Sequence, residues 1–462
     1  MQGGDRSGRL GPVSIVTFVT ARHRYNQDVE LPPGPSYPSF IQGIAFWTRP
    51  LASLERLRAR YGKRFTIQIP AAPPFVIVTE PDDVKAVFTA KPDVLHPGQG
   101  AQVLRPVVGA NSVILLDEAK HMEQRKLMLP AFHGERMERL TGLMTEVAER
   151  EVAAWPRDER IEMHPRMQTL TLEIILRAVF GLQPGARLDG LRERLRAMLE
   201  FGDKPVSLMP PPAGSRAERV LRRVGPYAKF ARLQEGADEL IFELIDERRR
   251  SGDGGDDVLS MLLEARHEDG SPMDQQELRD ELMTLLVAGH ETTASALAWT
   301  FARLPHHPEV VGRLVSEIAS DDGDAYLTAT IQEVLRRRPV LPNNAPRLVV
   351  KPVEIGGWEY PVGCAIVPNA YLVHHDPDTY EDPYSFRPER FLDSPPGTYT
   401  WIPFGGGRRR CLGASFAMLE MKILLRAVLA GRELRAVVGG LELPRRRNIT
   451  IRPARGAVAV LA

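Results

Sequence analysis

Ten residues constrain this chain more than any others: FGGGRRRCLG, Phe404 to Gly413, with Cys411 near their end. Glycines at 405, 406 and 407 let the backbone turn tightly and pass close to a flat partner. The following run, ASFAMLEMKILLRAVL, has helical periodicity, so Cys411 is predicted to sit where a loop enters a helix. The helix N-terminus and Arg408, Arg409 and Arg410 are expected to surround the sulfur with positive charge, which favours thiolate over thiol. A thiolate presented this way is a metal ligand or a nucleophile. The plainer alternative is a buried cysteine beside a basic glycine loop.

A second stretch narrows the choice. Asp274 and Glu277 form a predicted capping box, and nothing breaks the helical pattern before Pro305. Such a helix has about 30 residues and spans roughly 45 Å, enough to cross the whole protein. In its middle lies AGHETT, Ala288 to Thr293. A glycine, a charged Glu291 and two threonines are unfavourable inside an otherwise apolar helix, and an active site is the natural reason for them. A further helix, DAYLTATIQEVLRRRP, ends at Pro339 and places Glu333 and Arg336 on one side.

The rest of the chain sets the frame. Residues 1–30 read as a flexible leader, and LPPGP at 31–35 as the stiff hinge where the ordered body begins. SLERLRARYG, 53–62, reads as a helix, FTIQI and FVIVT as two strands, and EPDDVKAVFT as a short helix. Residues 93–118 form a long irregular apolar stretch of the kind that is usually functional. Residues 135–250 are nearly all helical pattern, broken at QPG and at PVSLMPPPAGS. His374 and His375 lack companions at metal-ligand spacing and are expected to be structural. Cys364, in PVGCAIVP, reads as a small core residue of a strand.

With a formal charge of +1, 26% charged and 43% apolar residues, nothing global points to nucleic acid or an anionic membrane. Two cysteines far apart in 462 residues argue against a disulfide framework and for a reducing compartment. No run reaches the roughly 18 apolar residues that span a bilayer. A cytoplasmic protein without a membrane span is therefore expected.

The spacing Phe-x-x-Gly-x-Arg-x-Cys-x-Gly resembles the haem-ligand loop of the cytochrome P450 family, and the other motifs follow in that family's order from about residue 31 to 455. The resemblance implies a single domain over 31–462, mainly α with a small β-rich lobe (α+β), the β-rich portion being approximately 53–90 and 340–375. It implies haem b between the long central helix and the cysteine-bearing helix, with Cys411 as the iron ligand in a loop shaped by Phe404, Gly405 and Gly413. His121, Arg125, Arg347 and Arg409 become candidate partners of the haem propionates. Glu333 and Arg336, with Arg390 of FRPERF, become a structural triad. Ala288 and Gly289 are expected to leave room for O₂, Thr292 to hydrogen-bond it and Glu291 to relay protons.

The same resemblance implies a monooxygenase that inserts one oxygen atom into a lipophilic small molecule such as a fatty acid, terpenoid or steroid. Val108, Leu208, Leu285 and Asn344 are the expected pocket residues, and 205–215 the expected lid. Electrons are expected from a ferredoxin and its NAD(P)H-dependent reductase, docking near Arg408, Arg410 and Lys126, onto a monomer. A peroxide-driven enzyme, a haem-thiolate sensor and a cysteine hydrolase are the rivals. The Glu291–Thr292 pair disfavours the first two, and the last lacks a His/Asn constellation.

Overall fold

The structure, a computed structural model, describes residues 29–462 apart from 71, 133–134, 202–219, 221–222, 253, 321–322 and 438–439. The expected leader up to residue 28 and the expected lid at 205–215, with Leu208, lie outside the described residues.

The long helix runs from Gln275 to Arg303 and carries the reciprocal capping box between Asp274 and Glu277. It is buried on every side from Leu278 to Leu286 and again from Thr293 to Phe301. A helix with no solvent stripe must be wrapped by others. Here helices Met163–Phe180, Gly225–Ser251, Ala325–Arg337 and Ala414–Leu429 pack around it. Ile174, Leu176, Leu282, Leu286, Leu297, Phe301, Leu424 and Leu425 belong to the one large core that results.

The β-rich lobe is a five-stranded sheet in the order Arg64–Ile67, Phe75–Val78, Ala365–Pro368, Arg347–Val349, Leu95–His96. Its middle pair is parallel, with Phe75 opposite Ala365 and Val78 opposite Pro368, and its other pairs are antiparallel. The sheet thus joins both expected β-rich portions. Leu54, Phe65, Ile77 and Val367 form a separate core behind it. The expected helix at 53–62 starts earlier, at Pro50, because Pro suits the first helical turn, and it ends at Gly62 with φ +83°. Several strands were not anticipated, among them Arg160–Glu162, which breaks the helical region and pairs with Val458–Leu461. Cys364 lies fully buried, just before its strand rather than within it.

Candidate functional site

The cysteine loop is shaped by positions where only glycine fits. Gly405 and Gly407 have φ of +66° and +61°. A Cβ on Gly407 would sit 2.1 Å from the Phe88 carbonyl oxygen, and one on Gly406 2.3 Å from the Phe88 ring. The loop therefore lies directly on the helix Pro81–Thr89. It closes when Cys411 N–H donates to the Phe404 carbonyl at 2.9 Å, and the helix starts at Ala414. Cys411 itself is exposed, and nothing lies within 4 Å of where a Cβ on Gly413 would stand.

The charge around that sulfur differs from the sequence expectation. Burial pushes the Cys411 thiol up, and the backbone at Gly413, Arg125 and Arg410 only oppose this. Arg409 points elsewhere: it donates to the Val113 carbonyl at 3.3 Å, to the Leu116 carbonyl and to Asp117 Oδ1 at 2.7 Å. An arginine run winding through a tight turn cannot aim three guanidinium groups at one atom. A positively charged ligand on sulfur would offset that burial and hold the thiolate.

A cluster of basic groups flanks the cysteine. A small recess of about 40 Å³ is lined by Phe88, Asp117, His121, Arg347, Gly406 and Arg409, among others. Arg347 is 4% exposed and stacks over Phe88 at 5.6 Å. Burial, helped by Arg409, brings its pKa down to about 9. Burial also lowers Arg409, to about 10, with Arg125 adding to the effect. Burial and the charges of Arg409, Arg125 and Arg347 take His121 down to about 3. These mutual depressions mean that Asp117 leaves the cluster short of negative charge. Carboxylates are the chemistry it would accept.

The loop rests on the predicted triad. Arg336 donates to both oxygens of Glu333 at 2.7 and 2.8 Å, Arg390 Nε lies 3.2 Å from the same carboxylate, and Glu333 and Arg336 are fully buried. Arg336 also donates to the carbonyls of His374, Pro383 and Ser385. His374 extends this scaffold. Its Nε2 accepts from Ile402 N–H at 2.8 Å, at the base of the cysteine loop, while Nδ1 lies 3.1 Å from the Arg336 carbonyl. These partners assign the proton to Nδ1. Burial holds this imidazole neutral, with a pKa near 3.

On the long helix, Ala288 is exposed and Thr292 partly so, one turn apart between two buried stretches. Thr292 Oγ1 donates to the Ala288 carbonyl at 2.6 Å. Gly289 does not join this open face: a Cβ there would lie 3.1 Å from Ile175 Cδ1, so the glycine lets two helices approach. Glu291 also turns away from it. Its carboxylate accepts from Arg447 Nη1 at 2.7 Å, Gln168 Nε2 at 3.0 Å and Ser295 Oγ at 3.2 Å. Burial would raise its pKa, but His164, Arg447 and His290 outweigh burial and bring it down to about 2. The carboxylate is thus engaged by three donors, none of them Thr292.

The expected pocket residues divide. Leu285 lies one turn before Ala288 and is 8% exposed. Val108 is covered by Ala101 and Leu115 in a small cluster of its own. Asn344 lies against the cysteine loop, with Oδ1 3.2 Å from where a Gly405 Cβ would stand. Sequence reasoning missed Asp117, Gln168 and Arg447 as site partners. None sits in a motif, and only long-range contacts give them a role. It also missed Glu420, two turns into the cysteine helix, which is fully buried beside Thr293 with neither oxygen hydrogen-bonded in good geometry.

Comparison with known proteins yields one consistent match. The cytochrome P450 family model matches residues 32–439. A putative cytochrome P450 135B1 of Mycobacterium tuberculosis is 36% identical over 434 residues, covering 92% of this chain and 90% of that protein. A putative cytochrome P450 138 from the same organism is 37% identical, covering 94% and 96%. Among solved structures, a retinoic acid bound cyanobacterial CYP120A1 superposes with a TM-score of 0.81 at 22% identity, covering 94% of this chain and 99% of that one. The cytochrome P450DA heme domain gives 0.78 at 23%, covering 94% and 98%.

Proposed function

The chain belongs to the cytochrome P450 family, and on that premise we propose how its own residues serve a haem-thiolate monooxygenase. Membership makes it an oxidoreductase that carries haem b, takes O₂ and a small-molecule substrate, and receives electrons from a redox partner. Haem, when bound, supplies an iron whose thiolate ligand favours cleavage of the O–O bond.

The residues present fit that group. The observation that carries the assignment is the exposed Cys411 beside the cluster of Arg125, Arg347, Arg409 and His121, which Asp117 offsets only in part. Cys411 is assigned as the iron ligand, where the metal's charge offsets the burial that favours the thiol. The three arginines are assigned to the two propionates, whose carboxylates supply the missing negative charge, and His121 adds a neutral N–H donor. Phe404, Gly405 and Gly413 keep the sulfur side of the loop thin enough for a flat ring to approach.

Ala288 and Thr292 are assigned to the oxygen side. Thr292 must turn its hydroxyl away from the Ala288 carbonyl to donate into the open face, a single χ1 rotation. Glu291 anchors the helix turn that carries Thr292, and reaches a proton-transfer role only by leaving Arg447 and Gln168. Ala288 presents apolar surface, which supports a lipophilic substrate such as a fatty acid, terpenoid or steroid.

For electrons we assign a ferredoxin and its NAD(P)H-dependent reductase in the cytosol. Arg408 and Arg410 are exposed on the cysteine loop and suit an acidic carrier. Lys126 is already engaged by Glu268 at 2.9 Å and contributes less. Unchanged reduction rates after reversing the charges of Arg408 and Arg410 would remove the docking assignment.

The deciding experiment is the difference spectrum of the reduced protein with carbon monoxide. A strongly red-shifted Soret band that disappears in Cys411→Ser is expected, and a band at the ordinary position in the wild type would overturn the ligand assignment. Spin-state titration with fatty acids, terpenoids and steroids then ranks the substrate class.

A further inference from the structure

A cleft of about 870 Å³ lies where five helix ends meet. Its walls come from the first turns of helices Glu135–Ala153, Ala186–Phe201 and Val258–Glu264 and the last turns of Met163–Phe180 and Gly225–Ser251. Among the described residues it takes none from the long helix, the cysteine loop or the 97–117 stretch, so it is separate from the site around Cys411. Its volume is in the range of small-molecule sites.

The charges in the cleft are almost all matched in pairs. Arg177 donates to both oxygens of Glu146 at 2.9 and 3.2 Å, and Arg187 to Glu247 at 2.6 Å. Arg139 lies 3.4 Å from Asp256. Arg248 donates to Asp257 at 2.5 Å and to the Phe180 carbonyl at 3.2 Å, while Asp257 caps the next helix by accepting from Ser260 N–H. A Cβ on Gly181, whose φ is +67°, would stand 2.5 Å from Asp257 Oδ2, so glycine there lets this wall close up. Arg136 is the exception. It has no carboxylate partner among the described residues, and its Nη1 is buried without a hydrogen bond. Nε of Arg177, a residue only 8% exposed, is unbonded as well. A buried N–H without an acceptor costs about 1–3 kcal/mol, which a bound anion would recover.

The rest of the lining is apolar. Leu140 and Leu143 follow Arg136 by four and seven positions, so they share its face of the helix. With Leu182 and Leu244 they pack on the core while remaining half-buried, which leaves their outer sides to the cleft. Glu247, Asp256 and Asp257 on the same walls would repel a ligand with several negative charges. One charge and an apolar body fit best.

We propose that this cleft is a second, non-catalytic site for a free amphiphile with a single carboxylate head, the head on Arg136 and Arg177 and the apolar tail along Leu140, Leu143, Leu182 and Leu244.

The test is calorimetric titration of the holoenzyme, with 4-phenylimidazole bound to fill the haem side, using laurate below its micelle concentration. One laurate per chain is expected. Arg136→Ala should weaken it about tenfold, the loss of a charge-assisted hydrogen bond. Dodecanol, with the same tail and no charge, should bind about tenfold more weakly than laurate. No laurate binding in the wild type, unchanged binding in Arg136→Ala, or equal binding of dodecanol would overturn the site. If Arg136→Ala fails to fold, Ala186→Glu adds a negative charge to the same lining at a first helical turn that suits an acid, and should weaken laurate too. Unchanged binding there would equally overturn the site. Cosedimentation with phosphatidylglycerol vesicles that Arg136→Ala abolishes would place a membrane lipid in the cleft and overturn the free carboxylate. Failure of 4-phenylimidazole to bind would count against the haem reading alone, because the effect of Arg136→Ala on laurate still decides the cleft.

Discussion

Arg447 Nη1 lies 2.7 Å from Glu291 Oε2, tying the C-terminal hairpin to the middle of the long helix deep inside the protein. The pair sits beside the turn that carries Thr292. Its geometry favours the anionic form of Glu291, which has consequences for stability as well as for catalysis.

Removing one partner should expose that charge. Arg447→Ala strands a buried carboxylate and is expected to lose about 3 kcal/mol or more of stability. Urea denaturation at pH 7 measures it. The sign with pH follows from the depressed pKa of about 2. The stabilisation, about 3 kcal/mol, is complete above the unfolded value near 4.5 and is lost as pH falls toward 2. In Arg447→Ala this acid-side loss should be much reduced.

Glu420 behaves in the opposite sense. Burial pushes its pKa up to about 8, against a weak contribution from Thr293. The folded state therefore holds a proton that the unfolded state has released, and stability falls as pH rises from about 4.5 to about 8. Glu420→Gln should be neutral near pH 4 and more stable than the wild type at pH 8.5, by about 5 kcal/mol at most. Equal Tm values for the two proteins at pH 8.5 would refute the buried, protonated carboxyl.

The glycines of the cysteine loop give a paired test. Gly407→Ala drives a Cβ into the Phe88 carbonyl at a left-handed φ, so haem content per chain should drop sharply. Gly413 has φ −88°, which any residue accepts, so Gly413→Ala should fold normally and yet lose haem, because its methyl thickens the sulfur side of the loop. Pyridine haemochrome content measures both.

Removing haem should unmask the basic cluster. Without propionates, Arg125, Arg347 and Arg409 face one another with Asp117 alone among them to offset the charge. Phosphate or sulfate should then raise the Tm of the apoprotein, and Arg347→Met should raise it without added anion. The holoprotein should show neither effect.

Thr292→Ala should keep its haem and its carbon monoxide band, since Thr292 bonds only within its own helix turn. Product yield per NAD(P)H should fall while hydrogen peroxide appears. Fully coupled turnover in this variant would remove Thr292 from the mechanism.

What the sequence disclosed, and what it hid, have a common physical cause. Motifs with short-range logic were legible: the capping box at Asp274, the Glu333–Arg336 pair, and the glycines before Cys411. Contacts between distant segments were not. Nothing local to Glu291 indicates that Arg447, 156 positions later, neutralises it. The direction of a side chain was equally hidden. Arg409 and Gly289 lie within recognisable motifs, yet one bends back to Val113 and Leu116 and the other faces Ile175. The same holds for Val108, whose place in a separate apolar cluster depends on how the 97–117 segment folds upon itself.

The parallel pairing of Phe75–Val78 with Ala365–Pro368 also dictates an order of events during synthesis. At about 5–20 residues per second, the ribosome needs roughly 15–60 s after the first strand emerges to make its partner. Over that interval Val76, Ile77 and Val78, all fully buried at the end, have only the hairpin partner Arg64–Ile67 beside them. An unpaired apolar strand edge of that kind invites association between nascent chains. Recombinant yield of this protein should therefore depend on chaperone supply and on slow, cool expression, whatever the stability of the finished molecule.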